Sequence, residues 1–205
     1  MYRFLMAIGI AAVLIAGPAG AAAQTPKAEV AENKAKTLER LASSEGNRES
    51  ASPGIITRTE VQAVDPAGKE PLDDAITCLA RTIYWEAKGE NAAGMEAIAS
   101  VVMNRLGNEG FPDTICGVVR QGREKGECQF SWWCDGRPDD VEEEGRYAAA
   151  KEIARKALNR QLEDRTHGAL YFHQRKVSPE WAGKYTRTAE VGDHLFYKPQ
   201  NNKAK

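Results

Sequence analysis

A mostly helical α+β domain is predicted by three observations. Apolar stripes at helical spacing fill the middle of the chain, from about residue 73 to residue 161. Two short apolar runs of strand type follow them near the end. The stretch ahead of residue 73 shows no sustained periodicity. Helices first and strands afterwards are the pattern of an α+β domain with its β element small and segregated.

The chain opens like an export signal. Arg3 gives a weak positive start, Phe4 to Ala16 is apolar, and Gly17-Pro18 breaks the run. Ala21-Ala22-Ala23 then offers a cleavage site, so residues 1–23 are expected to be a signal peptide. The run is short for a membrane span of about 20 residues, which disfavours an uncleaved anchor. Residues 24–72 are rich in Ala, Glu, Lys, Ser and Thr and contain no aromatic residue. Such a segment cannot order itself alone, although Lys27 to Leu41 favours a transient helix. A disordered polar tether is expected there, and a protein partner of this protein would be met through it.

The folded domain is expected at 73–198, about 125 residues, enough for a core of its own. Asp73 or Asp74 can cap the first helix. Ile76, Leu79, Ala80, Ile83, Tyr84 and Ala87 form its apolar stripe. Gly89 can end it and Asn91 can cap the next helix, whose face is Met95, Ile98, Ala99, Val102, Met103 and Leu106. Thr114 to Arg120 is a short apolar segment, helical or extended. A third helix is expected from Val141 to Gln161, capped by Asp139 or Asp140, with Tyr147, Ala150, Ile153, Ala154, Ala157 and Leu158 inward. The runs Ala169 to His173 and His194 to Tyr197 can pair as a small sheet. Residues 199–205 read as a frayed tail.

Charge excludes some functions. The 28 Lys and Arg against 29 Asp and Glu give a net charge of −1, which offers nothing to draw a nucleic acid. His167, His173 and His194 are too scattered for a metal site, and neither metal nor cofactor is expected. Cys78, Cys116, Cys128 and Cys134 are an even set in an exported chain and are expected as disulfides. Three connectivities are open. Cys128–Cys134 with Cys78–Cys116 is favoured, because the first would pin an aromatic loop and the second would staple the first helix. Zinc is disfavoured, since no two cysteines stand in a C-x2-C pair.

The first helix carries one residue of chemical interest. At about 100° per residue, Glu86 falls within roughly 20° of Leu79, at the edge of the stripe. A carboxylate there is half-buried. Desolvation raises its pKa, as a general acid near neutral pH requires. Most helical glutamates are surface or cap residues, but this one sits at a helix–helix corner, where clefts form.

A set of segments beyond Glu86 is similar to the SleB-type cell wall hydrolase family, whose best-known members are spore-cortex-lytic enzymes. They are Leu79-Ala-Arg-Thr-Ile-Tyr-Trp-Glu86-Ala-Lys-Gly-Glu90, Ala99-Ser-Val-Val-Met-Asn104-Arg105, Phe111-Pro-Asp-Thr-Ile-Cys-Gly-Val-Val, Cys128-Gln-Phe-Ser, Cys134-Asp-Gly, Gly168-Ala-Leu-Tyr-Phe-His and His194-Leu-Phe-Tyr. They span nearly the whole domain in the family's order. Lys88 stands where the family has Arg, which keeps the charge and loses the forked donor.

The resemblance implies a lysozyme-like catalytic domain with its small β element beside the cleft. It implies peptidoglycan glycan strands as substrate and Glu86 as the catalytic acid. A lytic transglycosylase needs only that one carboxylate. A hydrolytic muramidase or glucosaminidase needs a second, for which Glu90 and Asp135 are the candidates. A non-catalytic peptidoglycan-binding module is the reading from another class, and an exported scaffold a third. Gln129 and Ser131 in the aromatic loop can hydrogen-bond a sugar. Of the adjacent Trp132 and Trp133, an extended loop would turn one to the core and free the other, Trp133, to stack on a sugar face. Tyr171 is a further candidate for the cleft lining. Asn104 is expected to support Glu86 by a hydrogen bond, and Arg105 suits the end of its helix. An exported, periplasmic protein is expected.

Overall fold

The computed structural model describes residues 25–44 and 54–200. The expected signal peptide lies outside the described residues. The helices are α1 (Pro26–Ser43), α2 (Arg58–Ala63), α3 (Ala75–Glu86), α4 (Ala92–Arg105), α5 (Ile115–Arg120) and α6 (Glu144–Leu158). The strands are β1 (Tyr171–Gln174), β2 (Tyr185–Val191) and β3 (His194–Pro199).

Helix α3 is the axis of the domain. Every residue from Ala75 to Tyr84 is buried, and α1, α4, α5 and α6 pack around it. The apolar stripe is therefore only one of its buried faces. Two of the polar residues on the others are satisfied within the fold, while the Thr77 hydroxyl is buried without a partner among the described residues. Thr82 donates to the Cys78 carbonyl, and the Arg81 guanidinium reaches Asp65 Oδ2 at 2.8 Å and the Asp139 carbonyl at 2.7 Å. Asp74 caps the helix by accepting from Ile76 N and Thr77 N. Both favoured disulfides are present, and Cys78–Cys116 joins α3 to α5.

The expected tether is where the structure departs most from the sequence reading. Residues 26–43 form one long helix and 58–63 a short one, and both pack on the domain. Ala28, Ala31, Ala35 and Leu38 are buried along α1, and Ile56, Val61 and Val64 around α2. The segment has too little apolar surface to fold alone, but it has enough to fold against a finished core. It also supplies Asp65, the buried partner of Arg81, whose Oδ2 also accepts from the Tyr147 hydroxyl at 2.6 Å. The domain thus begins well before residue 73.

Two further boundaries differ. Helix α6 starts at Glu144, not Val141, and neither Asp139 nor Asp140 caps it. The Tyr84 hydroxyl instead accepts from the amides of Glu142 and Glu143, so a core tyrosine receives the chain as it enters the helix. The sheet has three strands in the order β1-β3-β2, all antiparallel. The two expected runs pair as β1 and β3, with Phe172 opposite Phe196. The third strand, β2, was hidden by its polar edge sequence Tyr-Thr-Arg-Thr-Ala-Glu-Val. It holds Lys198 and Pro199 in pairing, so the first residue of the expected frayed tail is ordered.

Candidate active site

The site is built where α3 stops. Glu86 is the last residue of α3, Gly89 turns the chain at φ 91°, and Asn91 accepts from Gly94 N to start α4. Glu86 is half-buried there and faces a cleft of about 610 Å³. Three structures wall the cleft. The first is this helical corner, with Glu86 and, from the end of α4, Arg105. The second is the loop carrying Cys128, Gln129 and Ser131, held by the Cys128–Cys134 bridge and by Gln129 N donating to the Gln121 carbonyl at 3.0 Å. The third is the sheet with the turn before β2, which brings Tyr171, His173, Trp181 and Tyr185.

Electrostatics mark out Glu86. Burial pushes its carboxyl up to about 7, against a smaller downward pull from the Arg105 charge. Burial likewise brings the Arg105 guanidinium down to about 10, where it is still a cation at neutral pH. Arg105 Nε donates to the Leu170 carbonyl at 2.7 Å, which ties the end of α4 to the start of β1. A carboxyl that titrates near 7 holds its proton at neutral pH and can also give it up, which is the condition for acid and then base.

The sheet wall is aromatic. The Tyr171 ring lies 4.9 Å from Tyr185 and 5.8 Å from Trp181, and Trp181 lies 5.6 Å from His173. These rings are only partly covered. Half-exposed rings on a cleft wall suit the flat apolar faces of a sugar.

Of the residues singled out from the sequence, Glu86, Gln129, Ser131 and Tyr171 come together in this cleft. Trp133 does not. Ser131–Trp133 is a 3₁₀ turn, not an extended loop, so the two indoles do not alternate. Trp132 is buried, and Trp133 packs on the core beneath the guanidiniums of Arg120 and Arg123, 5.3 and 5.2 Å from its ring. Asp135 is also elsewhere, in a separate groove with Trp85 and Arg137, where it accepts from Arg137 N. Asn104 does not reach Glu86. Its amide donates to Asp164, Thr166 and the Ala169 carbonyl and so holds the loop leading into β1.

Glu90 has a different task from the one expected of a second carboxylate. Its Oε1 accepts from Asp193 N at 2.7 Å and lies 3.1 Å from His194 Nδ1. Burial lowers the pKa of His194, with Glu90 opposing it. The pair pins the β2–β3 turn to the helical corner and fixes how far apart two walls stand. His194 is thus a satisfied structural histidine, although its ring also touches the cleft. His173 stacks on Tyr197 at 5.2 Å. The described residues contain no cluster of metal-binding side chains.

Sequence reasoning missed Arg105 as a cleft residue, and it missed Trp181 and Tyr185 altogether. The lone Trp181 in a polar stretch was the available signal. A large ring without an apolar neighbour has to be covered by tertiary structure or by a ligand.

A family model described as Cell Wall Hydrolase matches residues 89–197, more than half of the chain. The chain belongs to the cell wall hydrolase family. The match begins three residues after Glu86, so it covers the sheet and the cleft loop but not the proposed acid. Curated relatives are spore cortex-lytic enzymes. That of Halalkalibacterium halodurans is 31% identical over 134 residues, 64% of this chain and 36% of the relative. That of Bacillus cereus is 29% identical over 126 residues, 60% and 44% respectively. The chain therefore spans less than half the length of the curated relatives it matches. The catalytic domain of the Bacillus cereus SleB protein, a solved structure, aligns with a TM-score of 0.50 at 24% identity, covering 76% of this chain and all of that one. The expected fold class stands: a mostly helical cell wall hydrolase domain with a small sheet beside its cleft.

Proposed function

We propose that this cell wall hydrolase cleaves peptidoglycan glycan strands as a lytic transglycosylase, with Glu86 as its general acid and then its base. The observation that carries the reading is that Glu86 is the single carboxylate among the described residues lining the cleft, and that it titrates near 7. In the acid form Glu86 protonates the leaving glycosidic oxygen as the C1–O bond breaks. As the carboxylate it then accepts the proton of the muramoyl 6-hydroxyl, whose oxygen bonds to C1 and closes a 1,6-anhydro ring. The net change is an intramolecular displacement: the C1–O bond to the leaving sugar is exchanged for one to O6, the leaving sugar departs with a hydroxyl, and the proton returns to Glu86. An inverting or retaining hydrolase would need a second carboxyl group within about 5–9.5 Å of the first. Glu90 is committed to Asp193 and His194, and Asp135 faces another groove.

Gln129 and Ser131 supply exposed polar groups on one side of Glu86, and Tyr171, Trp181 and Tyr185 supply rings on the other. The N-terminal pattern supports export to the compartment that holds this substrate, the periplasm on our reading. Among the described residues no helix is long and apolar enough to cross a membrane.

The test is a digest of purified sacculi by the mature protein and by Glu86→Gln, with products separated by chromatography and mass spectrometry. Anhydro-muramoyl ends from the wild type alone are expected. Reducing muramoyl ends would move the reading to hydrolysis. Pelleting on sacculi with no product from either protein would make the domain a binding module.

A further inference from the structure

Arg105 has a setting that a merely structural arginine does not need. It is 2% exposed, and its guanidinium lies 5.0 Å from the Phe130 ring, 5.3 Å from Phe111 and 5.8 Å from Tyr171. Nε is satisfied by the Leu170 carbonyl. One terminal nitrogen, Nη1, is buried with no hydrogen-bond partner among the described residues. No carboxylate there reaches ion-pair distance of it. An unpaired buried cation is costly. Three ring faces offset part of that cost. A methionine or leucine would fill the same space without it.

The cation does have a partner, but one whose charge comes and goes. Arg105 and Glu86 line the same cleft, from the ends of successive helices. While Glu86 is protonated the guanidinium stands uncompensated. When Glu86 has given its proton away, a carboxylate shares the cleft lining with it, and the two charges attract. The attraction thus arises only after proton transfer, which is the kind of interaction that lowers a barrier instead of tightening ground-state binding.

We infer that Arg105 is the positioning residue of Glu86, a fixed cation that stabilises its carboxylate form and so sets its acid strength. This rests on the reading of Glu86 as the acid. Without Arg105, Glu86 would be a weaker acid and would stay protonated to higher pH. The other titratable groups around it are Tyr171 and His173 on β1, Tyr185 on β2, and His194 on β3 with its partner Glu90. None of them is a permanent cation.

The experiment is the pH profile of anhydro-product release by the full mature protein, compared with Arg105→Gln, Arg105→Lys and Glu86→Gln. In Arg105→Gln the alkaline limb should move up by about one pH unit, with a lower maximum, as expected for loss of a nearby opposite charge. In Arg105→Lys the limb should stay near its wild-type position although the fork is lost. A limb that stays put in Arg105→Gln while the rate falls would make Arg105 a structural residue and overturn the inference. Arg105→Met, which fills the space between the rings without charge, serves if the Gln variant does not fold. Unfolding of both uncharged variants with a folded Lys variant would assign the charge to stability and also overturn it. Undiminished activity in Glu86→Gln would sink the functional reading itself, a separate outcome.

Discussion

Two of the three walls of the cleft are made differently. On the helical wall, Glu86 and Arg105 end helices whose inner faces are packed in the core, and they are held by α3, α4 and the Cys78–Cys116 staple. On the sheet wall, Tyr171, Trp181 and Tyr185 stand half-exposed on a small sheet and the 3₁₀ turn Glu180–Lys184 that leads into it. The first wall has burial enough to shift a pKa. The second has open ring surface, its rings only partly covered. On the proposed function, chemistry is thereby placed where the fold is stiff, and recognition where side chains can adjust. The Glu90–His194 contact is the tie between them.

The largest effect should follow from replacing the acid. Glu86→Gln is expected to lower strand cleavage by roughly 10²–10⁴-fold, the usual weight of a general acid. The same change should stabilise the fold. A carboxyl raised to about 7 keeps its proton in the folded protein while the unfolded chain loses it above its ordinary 4.5. Stability from this group is therefore full below about 4.5, is lost as pH rises towards 7, and stays lost above. Glu86→Gln removes that penalty, so at pH 8 it should unfold roughly 1–3 kcal/mol harder than the wild type. The gap should close by pH 4. Thermal melts at the two pH values measure it. A variant no more stable than wild type at pH 8 would mean that the helical wall is wetter than its packing suggests.

The two disulfides extend the contrast, since Cys78–Cys116 serves the helical wall and Cys128–Cys134 the loop wall. Cys78–Cys116 spans a sequence separation of 38 and Cys128–Cys134 one of 6. Chain entropy assigns them about 4 and about 2 kcal/mol. Replacing the first pair with Ser should lower the melting temperature most and leave the activity of the folded fraction intact. Replacing the second should cost less stability but more activity, because Cys128 itself lines the cleft and its bridge holds the loop of Gln129 and Ser131. Denaturant unfolding beside a sacculus assay separates the two. Equal losses of activity would break the division of labour.

What was legible in the sequence follows the same line. Helices α3 and α4, their caps at Asp74 and Asn91, and the position of Glu86 were readable because local periodicity decides them. The resemblance to the cell wall hydrolases supplied the fold and the substrate class, and residues 89–197 bear the family out. Trp133 was misplaced because a 3₁₀ turn and an extended loop look alike in five residues between two cysteines. The packing of α1 and α2 was missed because their few alanines and valines gain burial only against a partner surface. Tyr185 was missed because β2 is an edge strand, whose alternation is set by its pairing with β3 more than by its own residues, and Trp181 because it lies in the short 3₁₀ turn ahead of that strand, which has no periodicity to read. Arg105 was read as a helix-end cation because nothing local shows that Phe111, Phe130 and Tyr171 converge on it.

Trp181→Ala tests the sheet wall directly. Loss of one stacking ring should cost about 0.5–1.5 kcal/mol of binding, a severalfold rise in KM on soluble glycan strands with kcat little changed. Trp133→Ala should do the reverse, lowering stability and leaving KM alone, since that ring is packed beneath Arg120 and Arg123. A KM effect from Trp133 larger than from Trp181 would return the sugar-stacking role to the aromatic loop.

The smallest effect belongs to the far end of α3. Ala75 and Glu86 lie roughly 16 Å apart along that helix, at 1.5 Å per residue. Helix α1 docks on the Ala75 end, where the Glu39 carboxylate accepts from Ile115 N at 2.6 Å at the start of α5. Burial raises the Glu39 pKa, with the Ile115 hydrogen bond opposing it, so its ionised form is held at some cost when the pH is high. Glu39→Gln keeps an acceptor for Ile115 and removes the titration. Its stability should differ from wild type by less than about 1 kcal/mol at neutral pH, with the gain growing as pH rises above the ordinary glutamate range. Cleavage should be unchanged, because the docking surface and the cleft share α3 but not its reactive end. Hydrogen exchange along α1 would show whether the helix stays docked. A fall in cleavage with α1 still protected would show that strain at Ala75 reaches Glu86, and that the rigid wall transmits what the sheet wall would absorb.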